Sequence, residues 1–199
     1  MANLALIWIK AQALGSSTNS KMRESDRDGG WVKRNALDLI EHEHHIQAQI
    51  CDSLEQIADG LPEGADKRLC AQVASALREE LPLHHRDEEC GLFPLIERRA
   101  LAGDGVSDIL ARLAMEHATD ESFATELLES LDILSAGGKL KNPDMVGYMF
   151  RSFFESYRRH LHWENVVVIP LARSRLLPED LAKLEEVMTR NRDSERDDA

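Results

Sequence analysis

The chain has 199 residues, 43% hydrophobic and 30% charged, which is globular composition and excludes a collagenous, low-complexity or wholly disordered protein. Its 24 Lys+Arg against 36 Asp+Glu leave a net charge of −12. A surface of that sign repels phosphate backbones and anionic lipid heads, so neither nucleic acid nor a membrane is an expected partner.

In chain order, residues 1–30 read as a mobile N-terminal arm. The apolar run from Leu4 to Ile9 is broken by Lys10, far short of the roughly 20 residues a membrane span needs. No basic residue precedes that run, which argues against a secretory signal. Gly15-Ser16-Ser17-Thr18-Asn19-Ser20 is linker-like, and the charged stretch from Arg23 ends in Gly29-Gly30. The three cysteines, Cys51, Cys70 and Cys90, are odd in number and lack paired spacing. They read as core fillers in a reducing compartment, so a cytoplasmic location is expected.

From Asn35 the pattern turns helical. Leu37, Ile40, His44, Gln47, Cys51, Leu54, Ala58 and Leu61 recur at steps of three and four, one face of a first helix that ends at Gly60-Leu61-Pro62-Glu63-Gly64. A second helix carries Leu69, Val73, Leu77, Leu81 and His84 to about Arg99, and Gly103-Asp104-Gly105 turns the chain. The third holds Leu110, Leu113, His117, Asp120, Ala124, Leu127 and Leu131 and stops at Gly137-Gly138. Asn142-Pro143-Asp144 opens a fourth with Met149, Phe153, His160 and Val167, and Pro178-Glu179-Asp180 starts a short fifth. No stretch has the period of a strand. The fold class is all-α: an antiparallel up-down four-helix bundle over residues 31–190 with a short C-terminal helix, then a disordered tail at 191–199.

The chain also repeats itself. His84-x3-Glu88-x5-Pro94-Leu95-x3-Arg99 over His160-x3-Glu164-x5-Pro170-Leu171-x3-Arg175 gives five identities in sixteen positions. Glu43-His44 falls on Glu116-His117, so a helix hairpin is duplicated, each copy carrying His and then His-x3-Glu. Pro94 and Pro170 are expected to set matching bends, and Pro82 to kink the second helix beside His84.

Four of the eight histidines, His44, His84, His117 and His160, lie on the apolar stripes of the four helices in turn. Glu88 and Glu164 share a helix face with His84 and His160. An unpaired buried carboxylate costs several kcal/mol, and cations remove that cost, so these six residues are candidate metal ligands. His42, His45, His85 and His162 are offset by one or two residues and are expected to flank the site or face solvent. Asp120 and Glu121, one turn after His117, are either ligands or partners that orient imidazoles, as is Gln47 for the latter role. Glu43 and Glu116 are expected to face a neighbouring helix or solvent. Imidazole and carboxylate without thiolate favour iron or manganese over structural zinc. The count suits two metals, with the glutamates able to bridge and solvent, oxo or hydroxo groups and a gas ligand in the remaining positions.

Glu43-His44, His84-x3-Glu88 followed by Leu92-Phe93-Pro94, Glu116-His117, and His160-x3-Glu164 with Pro170 resemble the hemerythrin-like HHE cation-binding domain of bacterial proteins, over about residues 35 to 190. The resemblance implies a non-haem di-iron centre with His44, His84, His117 and His160 as terminal ligands and Glu88 and Glu164 as bridges. Oxygen-carrying members have a further histidine where this chain has Leu113, and a longer final His-to-Asp spacing than His160-x3-Glu164. That difference argues against simple reversible oxygen carriage and for a more open or more carboxylate-rich centre. The expected function is binding, sensing or reaction with O2, NO or iron. The alternatives are an oxidoreductase consuming peroxide or NO, and a metal-free helical interaction module. Residues 1–34 hold no cysteine, unlike the extra N-terminal domain of the iron-centre repair proteins with this bundle.

Overall fold

The computed structural model describes residues 35–197, with side chains to residue 194. The arm expected at 1–30 lies outside the described residues. Five helices follow in order: α1 (Ala36–Asp59), α2 (residues 67–99), α3 (Val106–Ser135), α4 (residues 143–175) and α5 (Pro178–Asp197). No strand occurs among the described residues.

The helix ends follow from local chemistry. Asn35 and Asp38 form a reciprocal cap: the Asn35 side chain accepts from the Asp38 N–H, and the Asp38 carboxylate accepts from the Asn35 N–H. Asp66 accepts from the N–H groups of Arg68 and Leu69 to start α2, and Asn142 accepts from Met145 N–H ahead of Pro143. Gly105, at φ 62°, makes the left-handed entry to α3.

Neither α2 nor α4 is uniform. Wider π turns occupy Ala76–Glu80 and Glu88–Leu92 in α2 and Glu164–Val168 in α4. Each is followed two residues on by proline: Pro82, Pro94 and Pro170. Proline offers no N–H to the carbonyl four residues back and its ring crowds that carbonyl. The ladder therefore widens, and the N–H groups of Leu81, Phe93 and Ile169 reach Ala76, Glu88 and Glu164 instead. Pro94 and Pro170, where matching bends are expected, follow matching π turns, and Pro82 follows a third.

α1 packs chiefly on α4, and α2 on α3. The α1–α4 pairing is antiparallel: Arg151, Arg158 and Arg173 of α4 meet Asp59, then Asp52 and Glu55, then Asp38 and Glu41 of α1. The apolar interior falls into two blocks. One gathers Leu54, Ile57, Val73, Leu127, Phe150, Phe153 and Tyr157; the other gathers Leu37, Ile40, Leu92, Ile96, Leu110, Leu113 and Ile169. His44, His84, His117 and His160 sit between them along their own helices, so the buried polar layer has greasy material above and below.

The C-terminal end departs from the expected tail at 191–199. Helix α5 runs on to Asp197. Three contacts explain it. The Asn191 amide donates to Asp87 (2.8 Å), and Arg192 donates to Asp87 (2.7 Å) and Glu43 (2.7 Å). Asp87 is fully buried, and those donors satisfy it. Gly91 makes room for this helix, since a Cβ there would lie 2.7 Å from Leu184 Cδ1.

Candidate metal centre

All four stripe histidines and both glutamates converge in the layer between the two apolar blocks, each 3% exposed or less. Glu88 faces His44 through one oxygen (3.5 Å) and His84 (3.5 Å) and His117 (3.3 Å) through the other. Glu164 faces His44 (3.4 Å) through one oxygen and His117 (3.5 Å) and His160 (3.0 Å) through the other. Each carboxylate therefore spans both hairpins.

These contacts are ionic in distance but lack hydrogen-bond alignment. The Nε2 atoms of His44, His84, His85, His117 and His160 and both oxygens of Glu88 and Glu164 are buried without a hydrogen-bond partner. A core tolerates such orphans at several kcal/mol per charge unless a cation sits among them. The spacing fits one. Ligand atoms about 2.1 Å from a metal and at right angles to one another lie about 3.0 Å apart, and about 3.4 Å apart in a tetrahedron. The Glu–His separations of 3.0–3.5 Å match that spacing, and two overlapping groups gather ligand atoms within 4.8 Å of one another: His44, His84, Glu88 and Glu164, and Glu88, His117, His160 and Glu164; a third gathers His85, His117 and His160. The two glutamates belong to both overlapping groups.

Every inward imidazole is held from behind. The Nδ1–H groups donate to Asn165 from His44 (2.8 Å), Glu43 from His84 (3.1 Å), Glu89 from His117 (2.8 Å) and Glu116 from His160 (3.2 Å). A carboxylate only accepts, so the three acidic partners place a proton on Nδ1 and turn Nε2 inward. The partners obey the duplication: Glu43 and Glu116 precede His44 and His117, and Glu89 and Asn165 follow Glu88 and Glu164. Glu43 and Glu116 thus face the imidazoles of the next helix, where sequence patterning leaves them facing a helix or solvent. The matched positions in the two hairpins are the signal that could have found them.

His85 is the larger departure. It is 1% exposed, and its ring stacks on His117 at 4.0 Å and 6°. Its Nδ1–H donates to Glu121 (2.9 Å), so Glu121 orients an imidazole. A rotation of 100° keeps His85 inside the broad buried arc of α2, which α1, α3 and α5 all flank. The same step carries His45 into solvent, where it bonds the Glu41 carbonyl. His162 is exposed and His42 half-buried, as their offsets lead one to expect.

Asp120 is buried, and burial lifts its carboxyl to about 6 against the pull of His160 and His117. No imidazole donates to it among the described residues, and the metal-sized groups do not include it. Gln47 accepts from the Tyr157 hydroxyl (2.8 Å) instead of from an imidazole. Tyr157 stacks on His160 (5.7 Å, 7°), and Phe93 covers the other face of His117 (5.7 Å, 19°). Cys51 and Cys70 fill the core, and burial pushes the Cys51 thiol up to about 12, so it stays protonated and inert. Cys90 is exposed and fills no core.

The electrostatics confirm that the carboxylates dominate the layer. Burial alone lowers an imidazole, yet Glu88 and Glu164 raise His44 to about 9 and His117 to about 10. Burial likewise opposes ionisation of Glu88, but His84, His117 and His44 hold it well below the usual range. His85 goes the other way, to about 3, because burial outweighs its bond to Glu121. No described helix is long and apolar enough to cross a membrane.

Comparison with known proteins agrees with this geometry. No curated protein matches the chain. A family model, the hemerythrin HHE cation binding domain, matches residues 35–172, which contain every inward histidine and both shared glutamates. A helical bundle with a buried His/Glu layer that could hold a metal ion, and that match over most of its length, place this chain in the hemerythrin HHE cation-binding family.

Proposed function

We propose that the protein holds two iron ions through His44, His84, His117, His160, Glu88 and Glu164, and uses them to bind, sense or react with O2, NO or iron itself. The observation that carries this reading is that Glu88 and Glu164 each belong to both metal-sized groups, with all four of their oxygens orphaned. An iron pair supplies redox chemistry and coordination positions open to a small ligand when bound there. The chain does the rest. Glu43, Glu89, Glu116 and Asn165 fix the imidazoles from behind, while Phe93 and Tyr157 wall the layer and keep bulk water from its carboxylates. Oxygen and nitrogen donors without thiolate favour iron or manganese over structural zinc. A metal-free interaction module with one presented histidine does not suit imidazoles buried to this degree.

Metal content after anaerobic purification tests the proposal. The expected result is two irons per chain and a visible colour that changes reversibly with O2 or NO. Repeated turnover of peroxide or NO would make the protein an oxidoreductase instead, and a chain that takes up no iron would overturn the reading.

A further inference from the structure

The two hairpins differ in what covers them. Helix α5 lies along the seam between α1 and α2, where Leu184 and Met188 join the apolar block and Asp87 is fully buried. The equivalent seam of the second hairpin lies between α3 and α4, and the residue there that matches Asp87 is Trp163, 49% exposed. Eight large apolar side chains stand exposed among the described residues, and six of them belong to these two helices: Met115, Ile133, Met145, Tyr148, Trp163 and Val166. Phe123 on Phe153 and Glu116 on His160 set the antiparallel register of α3 and α4. That register brings Met115 level with Trp163 at one end and Ile133 level with Met145 at the other. Between the ends the surface is small and polar, with Ala118, Thr119 and Ser122 lining a shallow open groove along α3. The charges of this face balance, Arg112 being paired with Glu116 and Glu126 matched by Arg159, in a chain whose net charge is −12.

We propose that a second copy of the chain binds this face, α3 against α3 and α4 against α4 in antiparallel pairs about a two-fold axis. Area points to a partner two helices wide. Met145 to Val166 span about 32 Å at about 1.5 Å per residue, and two helices abreast are about 20 Å wide. That footprint of roughly 600 Å² reaches the about 600–1,000 Å² that each partner gives to a specific interface. A single docked helix, about 10 Å across, covers half of it. Pattern points to a copy of the same face. Met115 and Ile133 are centred on Ala124 of α3, and Met145 and Trp163 on Phe154 of α4, which are level with each other. A half-turn about that line lays the Met115–Trp163 end on the partner's Ile133–Met145 end and small residues on small ones. Such a self-match is what a two-fold interface requires. The balanced charge lets two acidic molecules meet here without the repulsion that their net charge imposes elsewhere. The pairing also shelters Glu116, one-third exposed behind His160, as α5 shelters Glu43 behind His84. None of this depends on the metal reading above.

Sedimentation velocity on the full chain as purified, from about 1 to about 100 μM, is the test. A dimer is expected. Met115→Glu or Tyr148→Glu should weaken it at least about 100-fold, since each change acts twice across the two-fold and sets a charge in an apolar contact. Leu101→Glu, exposed but off this face, should leave it intact. In a Cys90→Ser background, which removes the exposed native thiol, Ser122→Cys lies beside the axis and should cross-link to its own copy on mild oxidation. Met145→Cys, opposite the partner copy's Trp163, should not. A chain that stays monomeric over that range overturns the inference, as does a dimer that both glutamate variants leave unchanged. Cross-linking through Met145→Cys and not through Ser122→Cys would overturn the antiparallel pairing. Where circular dichroism shows that a glutamate variant fails to fold, Met115→Ser and Tyr148→Ser decide on the same readout.

Discussion

Metal binding here should be a proton-releasing event, and the protons can be assigned. In the metal-free layer the carboxylates raise His44 to about 9 and His117 to about 10, so both imidazoles are charged at pH 7 and neutralise Glu88 and Glu164. A metal at either position has to expel one of these protons before Nε2 can coordinate. Counting one proton for each of these two imidazoles, each conditional affinity rises at least about tenfold per pH unit below the folded pKa. From about pH 6.5 to about pH 8 that is about 30-fold per metal and about 1,000-fold for the pair. The stability of the metal-free protein runs the opposite way. A folded pKa raised above 6.5 contributes stability that is complete below about pH 6.5 and is lost as pH climbs through about 9 to 10. Chelator competition across that pH range, with proton release counted in weakly buffered solution, measures both. A flat affinity with no protons released would refute the reasoning, because His44 and His117 would then be neutral in the metal-free site.

Four further outcomes follow from the geometry. His84→Ala or His160→Ala should strip metal, while exposed His162→Ala and half-buried His42→Ala should retain it, as measured by metal per chain. Glu88→Ala or Glu164→Ala should cost more metal than either histidine change, since each carboxylate belongs to both groups; loss of a single metal would show that it does not bridge. Removing metal should lower the melting temperature, with about 2.7 kcal/mol of linkage lost per metal relative to metal at 100 times its dissociation constant, and equal melting of both forms would contradict a buried site. Arg192→Ala should destabilise the fold by about 2–3 kcal/mol in denaturant titration, because Asp87 stays fully buried with only Asn191 as donor.

Much of this was legible before any coordinates. Apolar residues at steps of three and four located the helices, the caps at Asn35 and Asn142 located two starts, and four histidines interrupting four apolar stripes located the centre. The misses share a cause. A stripe records which arc of a helix is apolar, and His85 enters the layer from the edge of that arc, where the neighbours of α2 decide whether it is buried. Glu43, Glu89, Glu116 and Asn165 act across helices, which periodicity within one helix does not report. Residues beyond Arg190 read as a solvated tail because they are polar, and only the buried Asp87 on another helix gives Asn191 and Arg192 a reason to stay helical.

That last contact makes the two ends of the centre differ in what they answer to. His160 leans on Glu116, whose arginine partner, Arg112, is exposed and comes from the same helix. His84 leans on Glu43, whose arginine partner, Arg192, belongs to α5, beyond the stretch that the family match covers. Binding couplings are reciprocal: whatever free energy the docked α5 lends to a metal at His84, that metal returns to the docking of α5. On the proposed reading, a metal beside His84 would thereby be expressed at the molecule's surface, as the grip on its last helix.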